Sequence, residues 1–238
     1  NKITGIKKLI IHNALLAAVI FILAGLYLSK TISRSRYWKD NFTVYAVDVK
    51  TSPNSVTANK IFGSTLVEKA QRITNWQHKL DTFRLAIPYL KRAIEIYPYY
   101  SEVYRIVGYA YFSSLNYDSA YYFFTEGLKY KPDDMEMNFN ASLALIQLQK
   151  YDQAIPILKH LTSVFPSHEE GFFNLALCYT NKSDFNSALP YYEKVNQLNP
   201  NRGDAYFYQG KIYEVTGDMK KSAAFYKRAA DLGYPVSK

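Results

Sequence analysis

Cysteine and histidine are scarce in this sequence. One cysteine, Cys178, and four histidines occur among the 238 residues. A single cysteine excludes a disulfide framework and a cysteine-based zinc site. Since no two histidines stand at the spacing of metal ligands, we expect no metal site. The low contents of glycine (10 residues) and proline (9 residues) exclude a collagen-like or disordered chain.

The motifs of common enzyme classes are also missing. The sequence contains no glycine-rich phosphate loop, no G-x-S-x-G elbow and no H-E-x-x-H pair. His78 has no nucleophile beside it in the sequence. Cys178 lies between Leu177 and Tyr179, where a buried and unreactive thiol is common. We therefore expect no catalytic residue and no cofactor in this stretch of chain.

The formal net charge of +9 is concentrated near the N-terminus. Residues 1–50 contain eight lysines and arginines against two aspartates, a balance of +6, whereas the remaining 188 residues carry +3. Basic residues that flank one short segment favour phospholipid headgroups over nucleic acid as the counter-charge. We expect no nucleic-acid partner.

That short segment is an uncharged run of 20 residues, 9–28, with the sequence LIIHNALLAAVIFILAGLYL. A helix of this length measures about 30 Å, the thickness of a bilayer core. We predict a transmembrane helix in residues 1–30 with its core at 9–28, followed by a juxtamembrane linker with a short helix, 31–53. A cleaved signal peptide is the alternative, although no small-x-small site closes the run. The residues expected at the membrane interface are Lys7, Lys8, Lys30, Arg34, Arg36 and Trp38.

A period of 34 residues runs through the rest of the chain. Small residues permit two helices to cross closely, and proline ends a helix because it lacks an N–H group. The period therefore predicts repeated helix pairs. Proline, alanine, a small residue and a large residue each return at this spacing, at Pro98, Pro132, Pro166 and Pro200; Ala86, Ala120, Ala154 and Ala188; Gly108, Ser142, Ala176 and Gly210; and Tyr111, Leu145, Tyr179 and Tyr213.

These registers resemble the tetratricopeptide repeat (TPR), in which a large residue, then L-G, Y, A, F, A and P follow one another along a helix-turn-helix. The resemblance implies an all-α fold, in which the N-terminal transmembrane helix precedes a right-handed TPR superhelix of about five repeats over 54–238. In the repeat that begins at Ser101, the places are filled by Tyr104, Val107, Gly108, Tyr111, Ala120, Phe124, Gly127 and Pro132. The implied repeats are 54–100, 101–134, 135–168, 169–202 and 203–236.

The first of these repeats is irregular. Gly63 and Ala86 are 23 residues apart, whereas the equivalent Gly108 and Ala120 are 12 residues apart. The 11 additional residues, 71–81, include a tryptophan and a histidine. They either lengthen the helix pair, which then packs near the membrane, or form a binding insert, and we favour the longer helices.

An acidic residue recurs in the first turn of each leading helix. Such carboxylates complement the positive end of a helix, and a cation-binding row is the alternative interpretation. The four residues are Glu102, Glu136, Glu170 and Asp204.

The leading helices of stacked TPR pairs line a concave surface that commonly binds extended peptides. Asn140 and Asn174 resemble the asparagine ladder in the TPRs of O-GlcNAc transferase, whose amides hold a peptide backbone. A row of three phenylalanines on the same face either contacts the peptide or is buried by a partner domain. The residues that we expect on this face are Arg105, Tyr109, Phe139, Asn140, Leu143, Phe173, Asn174, Leu177, Phe207 and Lys211.

The linker has a second resemblance. Residues 35–41 (S-R-Y-W-K-D-N), Tyr45, Val49 and residues 52–55 (S-P-N-S) are similar to the passage after the last membrane helix of transmembrane-and-TPR proteins. Those are polytopic, O-mannosyltransferase-like (GT-C) membrane proteins. The resemblance implies a glycosyltransferase whose catalytic part lies upstream of residue 1, which is Asn and not Met, and repeats that present acceptor proteins.

Two functions therefore remain open. Because one of them is enzymatic, the sequence also leaves open whether the chain belongs to an enzyme. The first, which we favour, is a membrane-anchored TPR module that docks or scaffolds a protein or peptide partner and contacts membrane lipid through one helix. The second is the acceptor-binding region of a GT-C glycosyltransferase with an upstream membrane domain. Both flanks of the apolar segment carry +3, so the positive-inside rule leaves the orientation open. The linker resemblance implies that the repeats are periplasmic or lumenal.

Overall fold

The computed structural model describes residues 18–32 and 41–236, and the regular structure in these ranges is entirely α-helical. One helix, α1, is described over 18–32. The helices that follow it are α2 (Asn41–Thr51), α3 (Val56–Arg72), α4 (Trp76–Ile96), α5 (Ser101–Ser113), α6 (Tyr117–Leu128), α7 (Met135–Gln147), α8 (Tyr151–Val164), α9 (Glu169–Asn181), α10 (Phe185–Leu198), α11 (Gly203–Val215) and α12 (Met219–Asp231). The prediction of an all-α superhelix of helix-turn-helix repeats is confirmed.

From α3 onward the helices form consecutive pairs, each with a leading and a trailing helix. Each helix packs mainly on its pair partner and on the next helix along the chain, as in a solenoid. Consecutive leading helices also contact one another, α3 with α5, α5 with α7 and α7 with α9. The leading helices therefore line the inner surface of the stack.

Small residues bring the two helices of a pair into contact where they cross. A methyl group added to Gly108 would lie 2.6 Å from Cδ1 of Phe124, a fully buried ring. A methyl group added to Gly63 would lie 2.5 Å from Cγ of Leu90. These close approaches agree with the steric role that the sequence predicts for the small register.

The turns inside the pairs repeat with the same period. Leu115, Gln149, Ser183 and Gly217 have positive φ angles of 62°, 58°, 58° and 86°. In each turn the next N–H donates to the carbonyl of the large-residue register, as Asn116 does to Tyr111 at 2.9 Å, which is the bond of a Schellman motif. Three of the four turns therefore hold a non-glycine residue in the left-handed region, which costs about 1–2 kcal/mol each.

The additional residues of the first repeat are absorbed as helix. After its small residue Gly63, α3 runs four residues further than α5 runs after Gly108. In the second helix of each pair, Ala86 is equivalent to Ala120. The number of residues between the start of the helix and this alanine is larger by seven in α4 than in α6. The connecting turn has three residues in both pairs. Residues 71–81 therefore lengthen α3 and α4, apart from the three-residue turn between them.

The predicted membrane segment is only partly within the described residues. Residues 1–17 and 33–40, and with them Lys7, Lys8, Arg34, Arg36 and Trp38, lie outside those ranges. Over 18–32 every side chain is exposed, including the predicted interface residue Lys30. In the part of the chain that the structure describes, no helix is long and apolar enough to cross a membrane.

The short helix α2 packs against the first repeat. The rings of Phe42 and Phe62 lie 5.5 Å apart, and Lys69 Nζ lies 4.2 Å from the centre of the Phe42 ring. Since α2 ends at Thr51 and α3 begins at Val56, the two helices form an antiparallel hairpin. The start of α2 therefore lies beside the C-terminal half of α3.

Candidate functional site

A groove of about 700 Å³, here called the N-terminal groove, opens on the inner surface near the start of the solenoid. Side chains of α2, α3, α5 and α7 surround it. Its lining is Tyr45, Lys60, Ile61, Ser64, Thr65, Val67, Glu68, Gln71, Glu102, Arg105, Ile106, Tyr109, Glu136 and Asn140. Of the sequence-predicted site residues, Arg105, Tyr109 and Asn140 are brought together here.

Ion pairs between successive repeats cross this groove. Lys60 Nζ lies 2.7 Å from Glu102 Oε2, and Arg105 Nη1 lies 2.5 Å from Glu136 Oε2. The hydrogen bond from Lys60 holds the pKa of Glu102 below its usual 4.5. The Glu102 pair therefore contributes stability at neutral pH that is lost only as the pH falls through that lowered value.

The two asparagines of the proposed ladder differ in their surroundings. Asn140 lines the groove, and its side chain has no hydrogen bond to any other described residue. Asn174 is only 9% exposed, and its Nδ2 donates to the carbonyl of Glu170 at 2.8 Å. Because Asn174 is nearly buried and one of its N–H groups is bonded within its own helix, Asn140 is the more accessible of the two amides.

The row of phenylalanines packs inside the solenoid. The Phe139 ring lies 5.0 Å from the ring of His168. Phe173 is 8% exposed and is covered by the Arg202 guanidinium, 3.9 Å from its ring centre. Phe207 is half-buried, with its ring 5.1 Å from that of Tyr234. The apolar contacts available in the N-terminal groove come instead from aliphatic residues on α3 and α5, together with Tyr109.

The remaining predicted residues lie further along the inner surface. Leu143 is half-buried on α7. Leu177 and Lys211 line a second, smaller groove of about 390 Å³ between α9 and α11. This groove is separate from the first, and its lining is Leu177, Thr180, Asn181, Phe185, Tyr208, Lys211, Ile212 and Val215.

Sequence reasoning missed the contribution of α3 to the N-terminal groove. Lys60 and Ile61 precede Gly63 at the same distances at which Arg105 and Ile106 precede Gly108. Alignment of the first repeat on its small residue therefore finds them.

The acidic row of the leading helices is bound by cations of the protein itself. Glu102 and Glu136 are paired as described above. Glu170 and Asp204 both bind Arg202, at 2.9 Å and 2.8 Å. The row therefore joins neighbouring repeats, and the alternative of a cation-binding row finds no free carboxylate among these four.

The single cysteine is inaccessible. Cys178 is fully buried in α9, and burial raises the pKa of its thiol to about 12. We expect iodoacetamide to leave the folded chain unmodified and to label it once after denaturation in guanidinium, as read from the intact mass. A Ser163→Cys variant in a Cys178→Ala background, with the thiol at an exposed position, should react while folded. Rapid labelling of native Cys178 would contradict this placement.

The repeats match a known family over the C-terminal part of the chain. The model for the tetratricopeptide repeat matches residues 139–200 and 181–233. No curated protein matches the sequence significantly.

Solved TPR structures are similar over most of the chain. The crystal structure of YrrB, described as a TPR protein with an unusual peptide-binding site, has a TM-score of 0.66 at 17% identity and covers 79% of this chain and 91% of its own. A crystal structure of MamA has a TM-score of 0.63 at 20% identity, over 64% of this chain and 90% of MamA. MamA from Desulfovibrio magneticus RS-1 has a TM-score of 0.65 at 18% identity, over 74% of this chain and 95% of its own.

The family match identifies tetratricopeptide repeats in residues 139–200 and 181–233, and the solved structures share the stacked helix pairs over most of the chain. At such identities the solved structures establish the fold and leave the ligand to be inferred from this chain. Nothing in the comparisons supports the resemblance of the linker to GT-C membrane proteins, which stays a prediction.

Proposed function

We propose that this chain is a membrane-anchored TPR module that binds an extended segment of a partner protein in its N-terminal groove. The observation that carries the proposal is the composition of this groove. It combines apolar side chains, the ion pairs Lys60–Glu102 and Arg105–Glu136, and the exposed carboxylate of Glu68. It also contains the Asn140 amide, which has no partner among the described residues.

An extended peptide fits this combination. Its backbone presents N–H and C=O groups along its length, and an asparagine amide can donate to one and accept from the other. Ile61, Ile106 and Tyr109 offer apolar contact to alternate side chains. Because the groove cations are neutralised by Glu102 and Glu136, a strongly charged ligand is not required. Recognition would thus depend on the backbone and tolerate different sequences.

The proposed anchor is the apolar segment 9–28. In support, α1 exposes large apolar side chains along its whole described length, for example Phe21 at 78% and Leu26 at 64%. A helix that is apolar on all sides needs an apolar environment on all sides. A periplasmic or lumenal position of the repeats is part of the same proposal and rests on the linker resemblance alone.

The groove is tested by selecting random displayed dodecapeptides against the full chain in mild detergent and measuring the affinity of the selected peptides as free synthetic molecules. We expect Asn140→Ala to weaken binding about tenfold, equivalent to about 1.4 kcal/mol, since the amide loses its bonds to the ligand backbone. Thermal unfolding of this variant should be unchanged, because the removed amide stabilises no contact in the free protein.

Asn174→Ala is the matched control for this experiment. It removes the same group one repeat later, where the amide is buried and bonded to its own helix. We expect it to leave peptide affinity within about twofold of the original. Peptides that bind the original chain and Asn140→Ala equally well would place the binding site outside the N-terminal groove.

A further inference from the structure

The lengthened α3–α4 pair extends beyond the turns of the other repeats. At the rise of an α-helix, the additional four residues of α3 and seven of α4 correspond to about 6 Å and about 10 Å. Neither extension is needed to form a repeat, because the later pairs close with shorter helices and turns of the same length, three residues. The tip of this hairpin, residues 69–80, therefore projects from one end of the solenoid.

The composition of this tip is unlike that of the other turns. It carries three cations, Lys69, Arg72 and Lys79, and no carboxylate, with Glu68 and Asp81 as the acidic residues that border it. Among the described residues, neither Arg72 nor Lys79 has an acidic group within salt-bridge distance. Trp76 begins α4 and is 56% exposed. An indole and unpaired cations at one protruding end match the chemistry of a phospholipid headgroup region.

The tip also lies at the end of the solenoid where the chain arrives from α1. Phe42, the second residue of α2, contacts Lys69 at the base of the tip. Only residues 33–40 separate α1 from α2. Eight residues span at most about 30 Å when fully extended. The C-terminal end of α1 therefore lies within about that distance of the start of α2, which contacts the tip at Lys69.

We infer that the α3–α4 tip docks onto an anionic membrane surface, with Trp76 at headgroup level and Lys69, Arg72 and Lys79 against lipid phosphates and carboxylates. This inference rests on the proposed anchor and goes beyond it. The anchor fixes one point of the chain at the membrane, and the tip supplies a second contact that sets how the solenoid stands on the surface. The N-terminal groove, between α3 and its neighbours, is then held at a defined distance from the lipid.

The test uses the full chain with Trp38→Phe, so that Trp76 is the only tryptophan. The chain is reconstituted into phosphatidylcholine vesicles with or without phosphatidylserine, each containing lipid brominated near the headgroup. We expect blue-shifted and quenched Trp76 emission that depends on phosphatidylserine. The combined variant Lys69→Gln, Arg72→Gln and Lys79→Gln should lose the phosphatidylserine-dependent part of the quenching, because each cation contributes to surface attraction.

The control variant removes three exposed cations elsewhere, Lys91, Lys129 and Lys227, by the same change to glutamine. It has the same net charge and should keep the quenching. Equal quenching in both lipids, or equal loss in both triple variants, would overturn recognition of anionic lipid by the tip. Trp76 that is shielded from aqueous iodide but not quenched by lipid would indicate that protein covers the tip, which also overturns it.

Failure of the anchor is distinguished by an alkaline carbonate wash of the vesicles. Chain that stays with the vesicles while Trp76 remains unquenched contradicts the tip and leaves the anchor intact. Chain that is washed away contradicts the anchor. In that case the soluble chain is added to phosphatidylserine vesicles at low salt, where quenching supports the tip and its absence overturns it.

Discussion

Replacement of Phe124 by alanine is expected to lower the free energy of unfolding by about 3–5 kcal/mol. The ring is fully buried between the two helices of its pair and the next leading helix, in a cluster with Ala120, Met137 and Ala141. Gly108 lies directly against it, so no side chain stands ready to fill the cavity. Urea unfolding followed by circular dichroism, in mild detergent, measures the change.

Tyr122→Ala provides the control in the same helix. Tyr122 is 55% exposed, and its removal should change the free energy of unfolding by less than about 1 kcal/mol. A loss below about 1 kcal/mol for Phe124→Ala would mean that the crossing is not close-packed at Gly108, against the contact distances described above.

Arg202→Ala is the second substitution with a large expected effect, about 2–3 kcal/mol. The Arg202 side chain is 13% exposed and lies within 2.9 Å of Glu169 and Glu170 and 2.8 Å of Asp204. Its flat guanidinium also covers the Phe173 ring at 3.9 Å. Removal leaves three carboxylates close together without a cation and exposes an aromatic face, so the last two repeats should loosen together.

Hydrogen exchange measured by mass spectrometry locates this effect. We expect faster exchange in α9 and α11 and little change in α3 and α4, since repeats depend on their neighbours. Arg202→Lys should recover less than half of the loss, because a lysine can neither bind three carboxylates through separate nitrogens nor stack on a ring. Arg228→Ala, which removes an exposed arginine 5.6 Å from the Tyr206 ring, is the matched control and should be near neutral. Equally faster hydrogen exchange in all helices would show that Arg202 does not stabilise the last two repeats locally.

The regular part of this fold can be predicted from sequence because its rules are steric and periodic. Helix geometry alone explains two of these registers. A proline stands two residues beyond the ends of α4, α8 and α10, and small residues face Phe124 and Leu90 where paired helices cross. Those registers predict the pairs without knowledge of any distant contact. Other features run against local rules: Pro156 and Pro190 lie inside trailing helices, on their exposed side, where packing of the opposite face maintains the helix.

The candidate site was less predictable, since it depends on which side chains are already engaged. Asn140 and Asn174 occupy the same register, yet one lines a groove and the other bonds within its own helix. Likewise Phe173 occupies a register that can face a ligand, but Arg202 from a later turn covers it. The contact between Phe173 and Arg202 joins residues about a repeat apart and leaves no mark in the periodicity. Lys60 differs from these cases, because it lies three residues before Gly63 as Arg105 lies before Gly108, so the sequence does contain the signal that finds it.

The left-handed residue in each turn has a consequence for how this solenoid can change. Leucine, glutamine, serine and glycine occupy the same backbone geometry at positions 115, 149, 183 and 217. The shape of the turn is therefore imposed by the two helices that it joins and by the carbonyl that receives its N–H bond, with little dictated by the side chain. We therefore expect substitutions at these four positions to preserve the turn, provided that the new residue tolerates a positive φ angle. A label can be attached at any of these positions, one in each of four successive repeats. Distances between such labels would then report the spacing of the repeats.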